Sequence, residues 1–166
     1  MNVPEDKQAF VARFGAVFEH SPWVAERAWQ ARPFASVDAL HAAMMQAVSA
    51  AGENEQLALV RAHPELAGRE AAEGELTRHS SSEQERLGLA SLEKQEFLKI
   101  QEINRAYREK FGFPCIVALR LHASRDSVVE EMRRRLQNSR EVELRNALQQ
   151  IGHIARGRLN QLAGEG

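Results

Sequence analysis

The spacing of apolar residues along this chain predicts an all-α fold. Apolar side chains recur every three or four positions, and the strict alternation that is typical of half-buried strands is nearly absent. Over residues 5–19 the apolar positions share one side of a predicted helix: Phe10, Phe14, Val17 and Phe18. A long helix is predicted over about residues 80–109, and its apolar residues should face the core: Leu89, Leu92, Ile100, Ile103 and Tyr107.

Capping and breaking residues divide the rest of the chain into further helices. Ser21 and Pro22 predict an N-cap followed by a first helical position, and Ser36 predicts another N-cap. Because a residue before proline is disfavoured in a helix, a helix should stop before Pro64. These helices are predicted over about residues 22–32, 36–50, 53–62, 126–138 and 140–160. The last one is expected to bury Leu144, Ala147, Leu148, Ile151, Ala155 and Leu159.

Two segments are predicted to lie outside helices. Residues 63–79 contain Gly68 and Gly74 and favour a loop. Residues 111–119 are apolar but contain Gly112 and Pro114, so an extended segment between helices fits better than a short strand. The prediction is a single domain over residues 1–166, a bundle of about seven to eight helices with one extended apolar segment near 111–119.

Composition and charge narrow the class of protein. The chain has 166 residues, of which 43% are hydrophobic and 27% charged, as is usual for one folded domain. The formal net charge, 22 − 23 = −1, provides no general attraction for nucleic acid or for an anionic membrane. The basic run Arg133-Arg134-Arg135 is predicted to be the solvated side of a helix.

Cysteine content and apolar run length predict the compartment. The chain has one cysteine, Cys115, which excludes an internal disulfide and favours a reducing environment. The first ten residues carry charges where a signal peptide would need an apolar stretch, and no run reaches the roughly 18 apolar residues of a membrane span. A cytoplasmic protein without membrane partners is therefore expected.

Three short segments combine residue types that could perform chemistry, and each also has a purely structural explanation. His63-Pro64 at a helix end could transfer a proton, or could simply interact with the helix dipole. The run 80–84 contains two possible capping boxes, Ser80 with Glu83 and Ser81 with Gln84, and could also hold a ligand at a helix N-terminus. The apolar run 111–117 could be core, or could present unpaired backbone groups to a ligand.

A metal site has little support in the sequence. The six histidines show no pair at a spacing of three or four residues, and there is no HExxH motif. No glycine-rich phosphate loop, nucleophile elbow or cysteine pair is present either. We therefore expect neither a metal nor an organic cofactor.

The three segments, in this order, resemble the 2-oxo-4-hydroxy-4-carboxy-5-ureidoimidazoline (OHCU) decarboxylases. The similar stretches are residues 62–66 (AHPEL), Ser80-x-x-Glu83-Gln84, and residues 104–114, in which Asn104, Tyr107 and Lys110 precede Phe111-Gly112-Phe113-Pro114. The closing run 154–159 (IARGRL) is similar to the family's last helix. The resemblance covers roughly the whole chain, with one departure, because the family usually has phenylalanine where this chain has Cys115.

The resemblance implies a cofactor-free homodimeric carboxy-lyase that makes (S)-allantoin from OHCU, the last step of urate-to-allantoin conversion in purine catabolism. Together with the chemistry of the residues, the resemblance implies that His63 is the proton donor and that Glu83 either holds the substrate hydroxyl or orients the imidazolium. The other expected substrate-binding residues are Pro64, Ser80, Ser81, Ser82, Gln84, the backbone of Cys115, Ile116, Val117, Ala118 and Leu119, and one of Arg156 and Arg158 for the carboxylate.

Other functions remain compatible with the same residues. A non-catalytic helical interaction module would use all three segments for capping and packing. Another cofactor-free lyase or hydrolase could act on a different ureido or amide substrate with the same histidine and glutamate. A metal-dependent hydrolase is a more distant alternative, which loss of activity on chelation would identify.

Overall fold

The computed structural model describes residues 1–68, 76–89 and 91–165. Over these residues the chain forms eight α-helices and three short 3-10 helices and no strand, which confirms the all-α prediction. The α-helices are α1 (Lys7–Phe14), α2 (Trp23–Ala28), α3 (Val37–Ala50), α4 (Glu53–Arg61), α5 (Arg78–Arg86), α6 (Lys94–Phe111), α7 (Arg125–Arg135) and α8 (Arg140–Glu165). The 3-10 helices are Gly15–Val17, Trp29–Ala31 and Leu119–Leu121.

The helices belong to two compact units. The terminal unit consists of Met1–Ala62 together with Gly152–Gly166, and the central unit is His63–Ile151. In the terminal unit an aromatic cluster forms part of the core, where the Phe10 ring lies 5.1 Å from the rings of both Phe14 and Trp29. In the central unit, Tyr107, Phe111 and Phe113 pack against one another at the end of α6.

The first predicted helix is shorter than expected, although its buried face is correct. Helix α1 ends at Phe14 and continues as a 3-10 turn, and its four predicted core residues are all at most 1% exposed. The prediction that Ser21 caps the next helix was wrong. Pro22 occupies the N-cap position, while the Ser21 hydroxyl donates instead to the carbonyl of Glu19. The cap at Ser36 is confirmed, because its Oγ accepts from the amide of Ala39 at 3.1 Å.

The single long helix predicted over residues 80–109 was also wrong. The chain forms α5 and α6 with a break between them, where Gly88 adopts φ +72°. A left-handed residue cannot continue a helix, and glycine adopts that conformation at little cost. The apolar periodicity persists across the break because Leu89 turns into the core as well.

The predicted capping boxes at Ser80 and Ser81 were wrong for a related reason. Helix α5 begins two residues before the first of them, at Arg78, and Thr77 is its N-cap, with Oγ1 accepting from the Ser80 amide at 3.2 Å. Ser80 therefore lies in the first turn of the helix with its side chain buried. Threonine provides the same side-chain oxygen as serine, so the sequence offered competing caps.

The two predicted non-helical segments are confirmed in part, because residues 78 and 79 already belong to α5, and the second segment is bounded by Phe111 in α6 and by the 3-10 helix that begins at Leu119. Residues 63–68 form a turn, whereas residues 69–75, which include Gly74, lie outside the described residues. Helix α6 ends at Phe111 and is capped by Gly112, whose φ of +80° starts an extended segment that reaches Ala118. Each residue from Phe113 to Leu119 is buried.

The last helix buries most of its predicted face. Ala147, Ile151, Ala155 and Leu159 are at most 1% exposed. Leu144 and Leu148 are only half-buried, whereas Glu143 is fully buried. Among the described residues, no helix is long and apolar enough to cross a membrane.

Candidate active site

The turn that follows α4 carries His63 and is itself buried. His63 is 6% exposed, and Leu66 and Ala67 are 6% and 3% exposed. The amide of Gly68 donates to the carbonyl of Glu65 at 3.3 Å, which closes the turn. A side chain at position 68 would bring its Cβ to 2.7 Å from Cβ of Glu65, so glycine is required there. Residues 65–68, which follow His63 closely in sequence, are thus tightly packed.

Helix α5 presents one buried polar face and one exposed face. Ser80 and Gln84, one turn apart, are 4% and 3% exposed, whereas Glu83 and Ser81 are half-buried and Ser82 is exposed. Oε1 of Gln84 accepts from the amide of Ala67 at 3.0 Å. This bond fixes the orientation of the Gln84 amide, so its Nε2 is the group left to donate to a ligand. It also attaches the turn that begins with His63 to the helix that carries Glu83.

The same helix is attached to the extended segment. The guanidinium of Arg86 donates to the carbonyl of Leu119, and its Nη2 also donates to the carbonyl of His122 at 2.9 Å. Helix α5 therefore holds the turn that begins with His63 through Gln84, and it holds the end of the extended segment through Arg86. Arg86 was not among the predicted residues, because its partners are backbone carbonyls more than thirty residues away.

Side chains already use part of the backbone of the extended segment. Arg135 donates to the carbonyl of Ile116, and Oε1 of Gln150 accepts from the amide of Ala118 at 2.8 Å. Val117, between them, makes no backbone hydrogen bond to any residue that the structure describes. Buried peptide groups normally have partners, and Cys115 likewise makes no backbone hydrogen bond to the described residues, so the amides and carbonyls of Cys115 and Val117 are backbone candidates for ligand contacts in the predicted stretch 115–119.

Arg135 belongs to a buried polar network behind this segment, and the prediction that it lies on a solvated face was wrong. Its Nε donates to Oε1 of Glu143 at 2.7 Å, and the two side chains are 6% and 0% exposed. Tyr107 also donates to Oε1 of Glu143, at 2.6 Å. Turned inward, the guanidinium neutralises a buried carboxylate and satisfies a buried peptide carbonyl, both of which would be costly to leave without a partner.

This network shifts the ionisation of its members. Burial alone would raise the pKa of Glu143, but hydrogen bonds from Tyr107, Asn138 and Asn146 and the charge of Arg135 lower it overall. Burial raises the pKa of Tyr107 above its ordinary value. Burial also raises the pKa of the Cys115 thiol to about 12. At neutral pH the carboxylate is therefore charged, and both the phenol and the thiol are neutral.

The two candidate arginines for the substrate carboxylate lie in the terminal unit and differ in accessibility. Arg158 is 1% exposed, and its guanidinium donates to Oε1 of Glu19 at 2.9 Å and to the carbonyl of Val17 at 3.0 Å. The Arg156 side chain is 32% exposed, and it forms an ion pair with Asp38. A guanidinium that neutralises a buried carboxylate has less charge to offer a ligand, so Arg156 is the better candidate.

Several polar residues that the sequence reasoning missed share one signal. Asn104 and Glu143 are both fully buried, and each lies in phase with the apolar face of its helix. Asn104 is one position after Ile103 and three before Tyr107, and Glu143 is four before Ala147. A polar residue at a core position of an amphipathic helix is therefore the feature to look for. Within the described residues, no group of three His, Cys, Asp or Glu side chains is placed to hold a metal ion.

Comparisons with known proteins agree with one another over most of the chain. The family model described as OHCU decarboxylase matches residues 5–160. A 2-oxo-4-hydroxy-4-carboxy-5-ureidoimidazoline decarboxylase of Haloferax volcanii is 44% identical over 154 residues, which cover 93% of this chain and 89% of that protein. The protein of the same name from Mus musculus is 40% identical over 155 residues, which cover 93% and 86% of the two chains.

A solved structure agrees with these sequence relationships. The crystal structure of an (S)-allantoin synthase is similar to this chain with a TM-score of 0.75 and 28% sequence identity. The match covers 95% of this chain but 51% of the other, so the chain spans about half the length of that protein.

Proposed function

This chain belongs to the OHCU decarboxylase family, and from that premise we propose that it removes the carboxylate of OHCU and forms (S)-allantoin. The observation that carries the proposal is the hydrogen bond from the Ala67 amide to Oε1 of Gln84. It holds together the turn that begins with His63 and the helix that carries Glu83. The identities of 44% and 40% to decarboxylases of this name support the same substrate.

The substrate explains why the reaction can proceed without an organic cofactor. Decarboxylation leaves an electron pair that must be delocalised. In OHCU the carboxylate lies on a ring carbon next to the C=N carbon that bears the ureido group. As the bond to carbon dioxide breaks, its electron pair forms a double bond between these two carbons, and the C=N pair moves to nitrogen, which takes a proton. The resulting enol becomes a ketone when its hydroxyl loses a proton and the ureido-bearing carbon gains one.

The chain must therefore orient the substrate and deliver that last proton to one face. His63 is the proposed donor, because imidazole can carry a proton near neutral pH and this one is held in a buried turn. Glu83 would hold the substrate hydroxyl or orient the imidazolium, and Pro64 would pack on the ring. Nε2 of Gln84 would donate to the ureido carbonyl, and Ser80, Ser81 and Ser82 are further candidates for neutral hydrogen bonds, although Ser82 is exposed.

The remaining contacts would come from the extended segment and from the C-terminal helix. The amides and carbonyls of Cys115 and Val117, which have no hydrogen-bond partner among the described residues, would bind amide-like groups of the substrate. Arg156 would meet the carboxylate before it leaves, since Arg158 is committed to Glu19.

We also propose that the two units act as one domain, that two copies form a homodimer, and that the protein works in the cytoplasm. One family model extends over both units, which supports the first point. The dimer follows from the family resemblance, and light scattering of the purified protein would measure it. The compartment follows from the sequence.

The decisive experiment generates OHCU in situ from urate and follows the chirality of allantoin by circular dichroism. His63→Asn should lower kcat by about 10²–10⁴-fold, the usual contribution of general acid–base catalysis. His153→Asn, at an exposed position of α8, is the matched control and should leave kcat unchanged. Near-wild-type turnover by a folded His63→Asn protein would remove this histidine from the mechanism.

The same assay decides the role of Glu83. Glu83→Gln should lower turnover by about tenfold or more with little change in melting temperature, because a charge that acts on substrate or imidazolium is lost. Glu85→Gln is the control, since Glu85 lies two residues later on an exposed part of the helix. Equal activity of the two variants would exclude Glu83 from catalysis. Turnover in the presence of a chelator tests the expected absence of a metal.

A further inference from the structure

Helix α6 holds the turn of His63 with three side chains that lie on one of its faces. Nδ2 of Asn104 donates to the carbonyl of Leu66 at 2.9 Å, and Nε2 of Gln101 donates to the carbonyl of Ala67 at 2.6 Å. One turn further along, Arg108 forms an ion pair with Glu65. Spacings of three and four residues place these side chains next to one another on a helix. Three consecutive residues of the turn are therefore held by one rigid element.

The turn needs such support because its conformation is unfavourable by itself. Ala67 has φ +49°, a left-handed conformation that costs a residue with a Cβ about 1–2 kcal/mol. Its amide is held by Gln84 and its carbonyl by Gln101, so both of its backbone polar groups are held by side chains of different helices. Strained backbone persists only where the surroundings determine it, and it is concentrated at functional sites.

Asn104 is a poor choice for stability alone. It is fully buried, and within the residues that the structure describes its Oδ1 accepts no hydrogen bond. A buried acceptor without a partner costs about 1–3 kcal/mol. Because Nδ2 must face the carbonyl of Leu66, rotating the amide by half a turn would not remove the cost, since it would place two oxygens together. The position thus keeps an amide donor in spite of an energetic penalty.

The held peptide groups at Leu66 and Ala67 are only three and four residues after His63, the proposed proton donor. Pro64 has a φ fixed near −65°, and it also restricts the backbone of His63 before it. Glu65, which lies between Pro64 and Leu66, is held by its ion pair with Arg108, so a rotation of the peptide groups at Leu66 and Ala67 can reach His63 through the stiff His63-Pro64 dipeptide. We propose that Gln101 and Asn104 are positioning residues for the reaction, whose amide groups hold the turn of His63 so that its imidazole faces one side of the substrate. The proposal rests on the proposed function.

The test replaces each amide by the carboxylate of the same shape, in Gln101→Glu and Asn104→Asp. A carboxylate next to a peptide carbonyl repels it, so the turn should shift while the volume of the side chain is kept. Gln95→Glu makes the same chemical change on the exposed side of the same helix and is the matched control. Gln101 is only partly buried, so its variant should fold even if Asn104→Asp does not.

The informative readouts are kcat, KM and the enantiomeric purity of the allantoin formed. A displacement of the donor by about 1 Å can cost on the order of 10²-fold, so kcat should fall by about 10–100-fold, and KM should change little. The product should become partly racemic, because water then competes with His63 for the intermediate. Gln95→Glu should match the wild type in all three. Unchanged kcat and purity in a folded Gln101→Glu protein would overturn the proposal, as would a loss of kcat with fully S product.

A measurement without substrate separates this proposal from the proposed function. The NMR signal of the His63 imidazole, assigned by its absence in His63→Asn, should move in Gln101→Glu and stay in place in Gln95→Glu. If the signal moves but the wild type does not convert OHCU, the proposed function fails and the structural coupling stands. If the signal does not move, the positioning proposal fails whatever the enzyme converts.

Discussion

Among the residues that the structure describes, each of the two units buries an arginine–glutamate pair, and the two pairs are built alike. In the terminal unit, Arg158 binds Glu19 and the carbonyl of Val17. In the central unit, Arg135 binds Glu143 and the carbonyl of Ile116. In both, a guanidinium on a helix neutralises a buried carboxylate and also satisfies a backbone carbonyl that lies outside the α-helices.

The two pairs differ in what surrounds them. Glu143 also accepts hydrogen bonds from Tyr107, Asn138 and Asn146, so the central pair is the middle of a network. The carbonyl that Arg135 holds belongs to the extended segment proposed to meet the substrate, whereas Val17 is the last residue of a 3-10 helix. Buried ion pairs add little net stability compared with apolar packing, but they are costly to break. The same buried arginine–glutamate pair can therefore stabilise the core in the terminal unit and hold the proposed binding segment in the central unit.

The largest effect is expected from Glu143→Ala. It leaves Arg135 buried without a carboxylate, which costs about 3–5 kcal/mol of unfolding free energy, and the loss of three further hydrogen bonds favours the upper end. The extended segment should loosen, so KM should rise by about tenfold, equivalent to 1.4 kcal/mol of binding. Urea denaturation and steady-state kinetics measure the two effects.

Glu141→Ala, at an exposed position of the same helix, is the control for both measurements. A folded Glu143→Ala protein that has lost stability but keeps a normal KM would show that the central pair serves the core alone. The two pairs would then be equivalent.

A smaller and purely structural effect is expected from Arg158→Met. The carboxylate of Glu19 remains buried without its partner, so the unfolding free energy should fall by about 3 kcal/mol. The kcat and KM of the folded fraction should stay within about twofold of wild type, less than 0.5 kcal/mol. Assays at a temperature well below the melting transition provide these constants.

Arg156→Met sharpens the same prediction. The ion pair of Arg156 with Asp38 is partly exposed, so its removal should change stability by at most about 1 kcal/mol. If Arg156 binds the substrate carboxylate, KM should rise in this variant. A rise of KM in Arg158→Met instead would assign the carboxylate to Arg158.

The smallest effect is expected on the pH dependence of stability. The folded pKa of Glu143 lies below its ordinary value, so its contribution is present above the unfolded pKa of about 4.3 and is lost as the pH falls through the folded pKa. In the wild type, stability should therefore decline below about pH 4. Glu143→Gln should decline less over the same range, as measured by denaturation at a series of acidic pH values. If the unfolding free energies of the two proteins fell in parallel with decreasing pH, the lowered pKa of Glu143 would be contradicted.

The periodicity of apolar residues was enough to predict the fold, because burial of an apolar face is a local property of sequence. It identified the faces of α1 and α8, and proline and glycine identified the extended segment after Phe111. Periodicity could not locate the break between α5 and α6 at Gly88, because the buried Leu89 continues the helical spacing of apolar residues across that break. Nor could it choose between Thr77 and Ser80 as a cap, because both offer the same oxygen.

The burial of Arg135 and Arg158 was beyond local reasoning for a different reason. A cation is buried only where a carboxylate comes close, and Glu19 and Arg158 are 139 residues apart in sequence. The turn and the two other segments of the candidate site could be named because they resemble a family. The residues that hold these segments are Arg86, Gln101 and Asn104, and each donates to a backbone carbonyl. Because every residue has such a carbonyl, the sequence does not show which position is the partner.

The burial of Cys115 makes the wild-type protein a reporter of its own opening motions. The thiol is 1% exposed, its pKa is raised to about 12 by burial, and it is the chain's one cysteine. A thiol reagent reacts with the thiolate, so modification must wait until the extended segment separates from the core. When reclosing outpaces modification, the reaction rate divided by that of an exposed thiol equals the fraction of time the segment is open. Time courses with and without product would thus measure how far a ligand slows this opening, without any added label.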